Sequence, residues 1–151
     1  MSVKSGGRAV PYELLKEQWN EYVFSDQTVV RVRIILTNVY QDFEFGPYRV
    51  LTQKMTLVSA PSYLQRTPGR HLQGVCSDGC VRWETQPLLR DERWNEYQLE
   101  ESSLVLKIIF MEKSSSKIMD RYDDTGQPIY VIEGKSLITI EKNAETAMES
   151  T

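Results

Sequence analysis

From Val30 the chain alternates. Val30, Val32, Ile34 and Leu36 are separated by Arg31, Arg33, Ile35 and Thr37, and the pattern returns at Leu104, Leu106, Ile108 and Phe110, separated by Val105, Lys107, Ile109 and Met111. A period of two sustained over eight residues predicts a half-buried β-strand in each place. Upstream of each run stands the tetrapeptide Trp-Asn-Glu-Tyr, at Trp19 to Tyr22 and again at Trp94 to Tyr97. Leu14-Leu15-Lys16-Glu17-Gln18 precedes the first copy and Leu88-Leu89-Arg90-Asp91-Glu92-Arg93 the second, so the match extends beyond four residues. The pattern predicts an internal duplication.

The tetrapeptides superpose at an offset of 75. Carried into the strands, that offset would set inward Val32 against Lys107, whereas 74 sets Val32 on Leu106 and Arg33 on Lys107. A one-residue slip exchanges the faces of a strand, so one residue is expected to be lost in the turn, Ser25-Asp26-Gln27-Thr28 against Glu100-Glu101-Ser102-Ser103. A third element closes each unit, Pro47 to Val58 and Pro128 to Ile140, at an offset of 81. Gly134 interrupts the second of these, which predicts a bulge in one long strand rather than two short ones. The expected fold is all-β or mostly β: a pseudo-twofold barrel or sandwich made from two duplicated hairpin-plus-strand units, with a connecting β-hairpin and at most one or two short helices.

At 17.5 kDa and 40% apolar residues the chain suits one shared core, because units of this size bury too little surface alone. We expect one domain over residues 1–143, with repeats at about 11–60 and 86–142, a connector at 61–85 and a flexible tail at 144–151. Met1 to Ala9 carries no apolar leader and no run approaches a bilayer span, so the expectation is a cytoplasmic protein without membrane contact. Residues 1–60 hold seven bases and six acids, while 94–151 hold six and eleven. With no concentrated positive charge, composition argues against nucleic-acid binding.

Between the repeats, Leu72 to Cys76 and Cys80 to Thr85 flank Ser77-Asp78-Gly79, the composition of a three-residue hairpin loop. His71, Cys76 and Cys80 form His-x4-Cys-x3-Cys, a weak metal-ligand candidate that matches no common zinc spacing. Reduced structural thiols and a disulfide are the competing accounts, and a reducing compartment favours thiols. No cofactor is implied. His71 is the only histidine, which excludes any mechanism needing two imidazoles, and there is no nucleophile elbow, phosphate loop or paired-histidine zinc helix. Asp120, Asp123 and Asp124 before Gly126 lack the alternate spacing of a calcium loop and fit turn chemistry.

If residues 13–22 form a strand, Asn20, Tyr22 and Phe24 face inward and Trp19 and Glu21 outward, with Trp94 and Glu96 equivalent. If they are helical, Trp19 is core. A second surface is the loop from Tyr40 to Gly46, where Tyr40, Phe43 and Phe45 alternate with acids. The functional expectation is a non-enzymatic protein-interaction or assembly module, self-associating or binding a protein partner through Trp19, Glu21, Tyr40, Phe43, Phe45, Trp94 and Glu96. The alternative is a small-ligand or glycan-binding β-barrel with Trp19 and Trp94 in a cleft. A carboxylate-dependent enzyme ranks third.

Overall fold

The computed structural model describes residues 7–42, 47–67, 81–100 and 102–142. These form strands β1 (Arg8–Ala9), β2 (Tyr12–Lys16), β3 (Asn20–Val23), β4 (Val29–Gln41), β5 (Tyr48–Ser59), β6 (Arg82–Thr85), β7 (Leu89–Asp91), β8 (Asn95–Leu99), β9 (Leu104–Tyr122) and β10 (Pro128–Lys142), with a single 3₁₀ turn at Ser62–Leu64. The described residues contain no α-helix and hence no helix able to cross a membrane.

The strands make two antiparallel sheets. In the first, β4 pairs with β5 on one side and with β1 and β3 on the other, and β7 extends the sheet beyond β3. In the second, β9 pairs with β10 on one side and with β6 and β8 on the other, and β2 extends beyond β8. Neither sheet closes on itself, so the expected barrel is not formed. Within the expected repeat bounds each repeat holds four strands rather than three, β2 to β5 and β7 to β10, with β1 before the first and β6 in the connector. One strand of each repeat changes sides: β2, from the first half, lies in the second sheet, and β7, from the second half, lies in the first.

Residues 13–16 and 20–22 are strand, in β2 and β3, joined by the link 17–19, and the helical alternative is overturned. Leu14 and Leu15 are about half exposed, and the β-ladder to Tyr97 and Gln98 pairs the backbone. Of the connector, the arm that ends at Thr85 is strand as expected. β6 lies against β9 at Ser115 to Ile118, while the proposed partner arm, its loop, His71, Cys76 and Cys80 fall outside the described residues.

Strand pairing decides the register that alternation alone left open. Asn20 and Tyr22 sit opposite Val32 and Val30, and Asn95 and Tyr97 sit opposite Ile108 and Leu106. Val32 thus corresponds to Ile108, an offset of 76 in place of the expected 74. Both values keep inward residues inward, because the period is two. The second turn is one residue longer than the first, not one shorter. The same offset carries one bulge onto the other: the register slips past Thr37 in β4 and past Lys113 in β9. Opposite those bulges, Leu51 and Thr52 correspond to Glu133 and Gly134, an offset of 82 in place of 81. β10 is one long strand as expected, but the bulge lies on its neighbour, where Lys113 of β9 is the extra residue. A Cβ on Gly134 would lie 2.0 Å from the Met111 carbonyl oxygen, so only glycine admits this approach.

Inward residues of both long strands form one core cluster. Val30, Val32, Ile34 and Leu36 from β4 join Leu106, Ile108 and Phe110 from β9, with Tyr22, Phe24, Tyr97 and Leu99 between them. Burying each aliphatic side chain contributes roughly 1.5–3 kcal/mol. The two halves draw on one interior.

Candidate functional site

The repeated tetrapeptides meet at the seam between the sheets. Asn20 is buried. Its Nδ2 donates to the Phe110 carbonyl at 2.9 Å and to the Tyr22 hydroxyl at 3.2 Å, and its Oδ1 accepts the Arg93 N–H at 2.9 Å. Asn95, equally buried, donates to the Ile34 carbonyl at 2.8 Å and accepts the Gln18 N–H at 2.8 Å. The Tyr22 hydroxyl donates to Glu92 Oε2 at 2.8 Å, and the Tyr97 hydroxyl to Glu17 Oε2 at 2.6 Å. Each half therefore supplies the groups that satisfy the other's buried amide and phenol. Burial first, and then the hydrogen bond to a carboxylate, raises both phenols well above the ordinary tyrosine range.

The clasp is not symmetric in detail. Glu17 also binds Arg33, whose Nη2 lies 2.6 Å and Nε 2.9 Å from Oε1. Glu92 instead accepts the Glu112 backbone N–H at 2.7 Å. Glu112 in turn holds Arg90 at 3.0 Å and the Ser115 hydroxyl at 2.7 Å. These carboxylates are engaged in structural pairing.

Of the outward members of the tetrapeptides, Glu21 and Glu96 lie in β3 and β8, while Trp19 and Trp94 immediately precede those strands. Trp19 and Trp94 are half-buried. Arg33 lies over the Trp19 ring, 5.6 Å from its centroid, and the Trp94 carbonyl accepts from Gln18 Nε2 at 3.2 Å. Glu21 pairs loosely with Arg31 at 3.6 Å on the first sheet, and Glu96 sits across from Lys107 on the second. Tyr40, stacked with Arg49 at 5.3 Å, lies eight residues along β4 from the residue opposite Asn20, a distance of about 27 Å at ~3.4 Å per residue. It belongs to a different region. Phe43 and Phe45 fall outside the described residues.

Two surfaces were not singled out from the sequence. The first comprises the outer edges of β5 and β10, which form no ladder with a further strand among the described residues, although Lys54 of β5 reaches the Ile132 carbonyl of β10 at 2.6 Å. Leu51, Met55 and Leu57 stand 47%, 44% and 50% exposed on β5, and Leu137, Ile138 and Ile140 stand 46%, 40% and 37% exposed on β10. Alternation identified these as strands but says nothing about which strand ends a sheet.

The second is a cavity of about 320 Å³ walled by Phe24, Leu64, Trp83 and Tyr130, with Asp26 and Lys117 among its polar groups. The turn after β3 presents Asp26: its Oδ1 accepts the Thr28 N–H at 3.0 Å, and its Oδ2 accepts the Tyr130 hydroxyl and lies 3.5 Å from Lys117 Nζ. Burial works against the Asp26 charge, but the Tyr130 hydroxyl, Thr28 and Lys117 together hold its carboxyl below the usual range. Trp83 is 66% exposed at the rim. It is the third tryptophan and lies outside both tetrapeptides, so the repeat drew attention away from it. Among the described residues there is no cluster of three metal-ligating side chains. No protein-family model, curated protein sequence or solved structure matches the chain.

Proposed function

We propose that the chain is a cytoplasmic, non-catalytic assembly module, built by internal duplication, that binds extended protein segments along the free edges of its two sheets. The carrying observation is the pair of edge strands, β5 and β10, each presenting three large apolar side chains between 37% and 50% exposed. An unpaired edge offers a row of backbone donors and acceptors, and adjacent apolar side chains add the contact area that strand addition uses. Duplication is supported by the shared strand order of the halves and by the offset that carries bulge onto bulge. The half-buried Trp19, Glu21, Trp94 and Glu96 flank the seam and serve as secondary contacts on the same faces.

The test is to measure self-association of the intact chain and its binding to a displayed library of extended peptides, in the native protein and in a Leu57→Lys/Ile138→Lys variant. Association or peptide capture that the variant loses supports the module. A native chain that neither self-associates nor captures peptides refutes it.

The cavity favours a second use, binding of a small polar ligand with a flat apolar face. Trp83 supplies a stacking surface, and Asp26 and Lys117 supply an acceptor and a donor. Titration with sugar and nucleoside pools should quench native tryptophan emission and leave a Trp83→Leu variant unchanged. Equal responses in both proteins would exclude the site.

A further inference from the structure

β5 and β10 occupy equivalent places, yet their edges are defended differently. In β5, Lys54 sits opposite inward Ile34, so a charge points inward at mid-strand; its Nζ donates to the Ile132 carbonyl at 2.6 Å and lies 5.4 Å from the Phe110 ring centroid. An inward charge on an edge strand is a known bar to further pairing. The equivalent residue in β10 is Ser136, opposite inward Phe110. The run Ser136-Leu137-Ile138-Thr139-Ile140 is uncharged, free of proline and strongly β-forming. It is bounded by Lys135 on one side and by Glu141 and Lys142 on the other.

We infer that β10 pairs antiparallel with β10 of a second copy of this chain, centred on Ile138, joining the two second sheets into one. This rests on the assembly reading and names its partner. A twofold axis normal to the sheet relates antiparallel neighbours and keeps outward residues opposite outward residues. Paired positions must then sum to an even number. Centring on Ile138 sets Lys135 opposite the partner's Glu141, and by symmetry a second such pair forms at the other end. Shifting the centre to Leu137 sets Glu133 opposite the partner's Glu141, two repulsive pairs. Shifting it to Thr139 sets Leu137 opposite the partner's Glu141, with no charge pair. β5 contains Arg49 and Lys54 but no acid, so its self-pairing gains no charge pair in any register.

Glu141 already lies 3.6 Å from Lys107, but its side chain is 54% exposed and open to a second cation. Ile138 meets its own copy on the inward face, and Leu137 meets the partner's Thr139 on the outward face. A strip of seven residues falls short of the roughly 1,200–2,000 Å² of a stable interface. The dimer is therefore weak and concentration-dependent, with Kd on the order of micromolar.

The test is sedimentation of the full chain across concentration for native protein, Lys135→Glu, Glu141→Lys, and an equimolar mixture of the two variants. Alone, each variant places like charges across both ends of its homodimer, and Kd should weaken about tenfold. In the mixture one end sets the two substituted side chains opposite each other, again with unlike charges, and the other end keeps the native pair, so dimer should return to the native level. A native dimer that both single substitutions leave intact, or a mixture that stays as dissociated as its components, overturns the β10 register while leaving assembly through another surface standing. A native chain that is monomeric yet captures extended peptides overturns self-pairing alone. Open-ended growth in place of a dimer would also overturn it, by pointing to β5-to-β10 contact.

Discussion

The seam and the sheet edges are built from the same kind of strand and behave oppositely. At the seam the two halves agree residue by residue: Asn20 with Asn95, Tyr22 with Tyr97, Glu17 with Glu92, each bonded across to the other half. At the edges they diverge, Lys54 against Ser136 and Thr56 against Ile138. Identity between the halves is greatest where buried polar groups must satisfy each other, since an unpaired one costs far more than a paired one gains. Where solvent or a partner can take the place of a missing group, the halves are free to differ. A repeated motif in this chain therefore marks a structural joint, and divergence marks the exposed sheet edges.

The largest effect should follow from cutting the joint. Asn20→Ala strands the Phe110 carbonyl and the Arg93 N–H, and Asn95→Ala strands the Ile34 carbonyl and the Gln18 N–H. At roughly 1–3 kcal/mol for each stranded buried group, either variant should lose about 3–5 kcal/mol in urea denaturation. A loss below about 1 kcal/mol in both would show that the seam is no joint at all.

Alkali should open the same joint without mutation. Tyr22 and Tyr97 hold their protons more tightly in the fold than in the unfolded chain. Their contribution is fully present below the unfolded value near 10 and is lost as pH rises from there through the raised folded value. The slope should approach about 1.4 kcal/mol per pH unit for each tyrosine. Absorbance titration should show these phenols ionising together with unfolding rather than before it. Tyr22→Phe combined with Tyr97→Phe should reduce the slope to what Tyr130 contributes, its phenol likewise raised by burial and by Asp26.

Single phenol removals should sharpen the asymmetry. Tyr97→Phe leaves Glu17 its two contacts to Arg33, whereas Tyr22→Phe leaves Glu92 only the Glu112 N–H. We expect about 2 kcal/mol for Tyr22→Phe and about half that for Tyr97→Phe, within the range for hydrogen bonds to charged groups. Equal losses would mean that Arg33 does not support Glu17.

Much of the framework was legible because it depends on period. Alternation through Val30 to Leu36 and Leu104 to Phe110 gave the long strands and their inward faces, and Gly134 announced a bulge. Alternation cannot distinguish offsets that differ by two, so 74 and 76 read alike until Tyr22 is seen opposite Val30 and Tyr97 opposite Leu106. The exchange of β2 and β7 was hidden for a different reason. Leu14, Leu15, Leu88 and Leu89 are all exposed, so these strands are specified by backbone pairing rather than by a buried face. The candidate surfaces were legible only in part. Glu21 and Glu96 lie in strands as expected while Trp19 and Trp94 precede them, but Trp83, Asp26, Lys117 and Tyr130 come together from four separate places in the chain, and no local pattern announces such a meeting. Edge status likewise belongs to the sheet, not to the strand.

The smallest effect on stability should come from the edge itself. Leu137 is 46% exposed on the outward face of β10, opposite half-buried Ile109. Leu137→Lys removes little buried area and strands no polar group, so urea denaturation should place it within about 0.5 kcal/mol of the native protein. The same substitution sets a new cation beside Lys135 of its own strand and opposite Thr139 of a paired copy, and should weaken dimer formation without loosening the fold. Asn95→Ala, studied below its unfolding transition, should do the reverse and leave the association constant unchanged while lowering stability. If Leu137→Lys instead destabilised the monomer by about 2 kcal/mol or more, its apolar surface would be part of the core's own closure, and the division between a joint that holds the halves and an edge that meets a partner would fail.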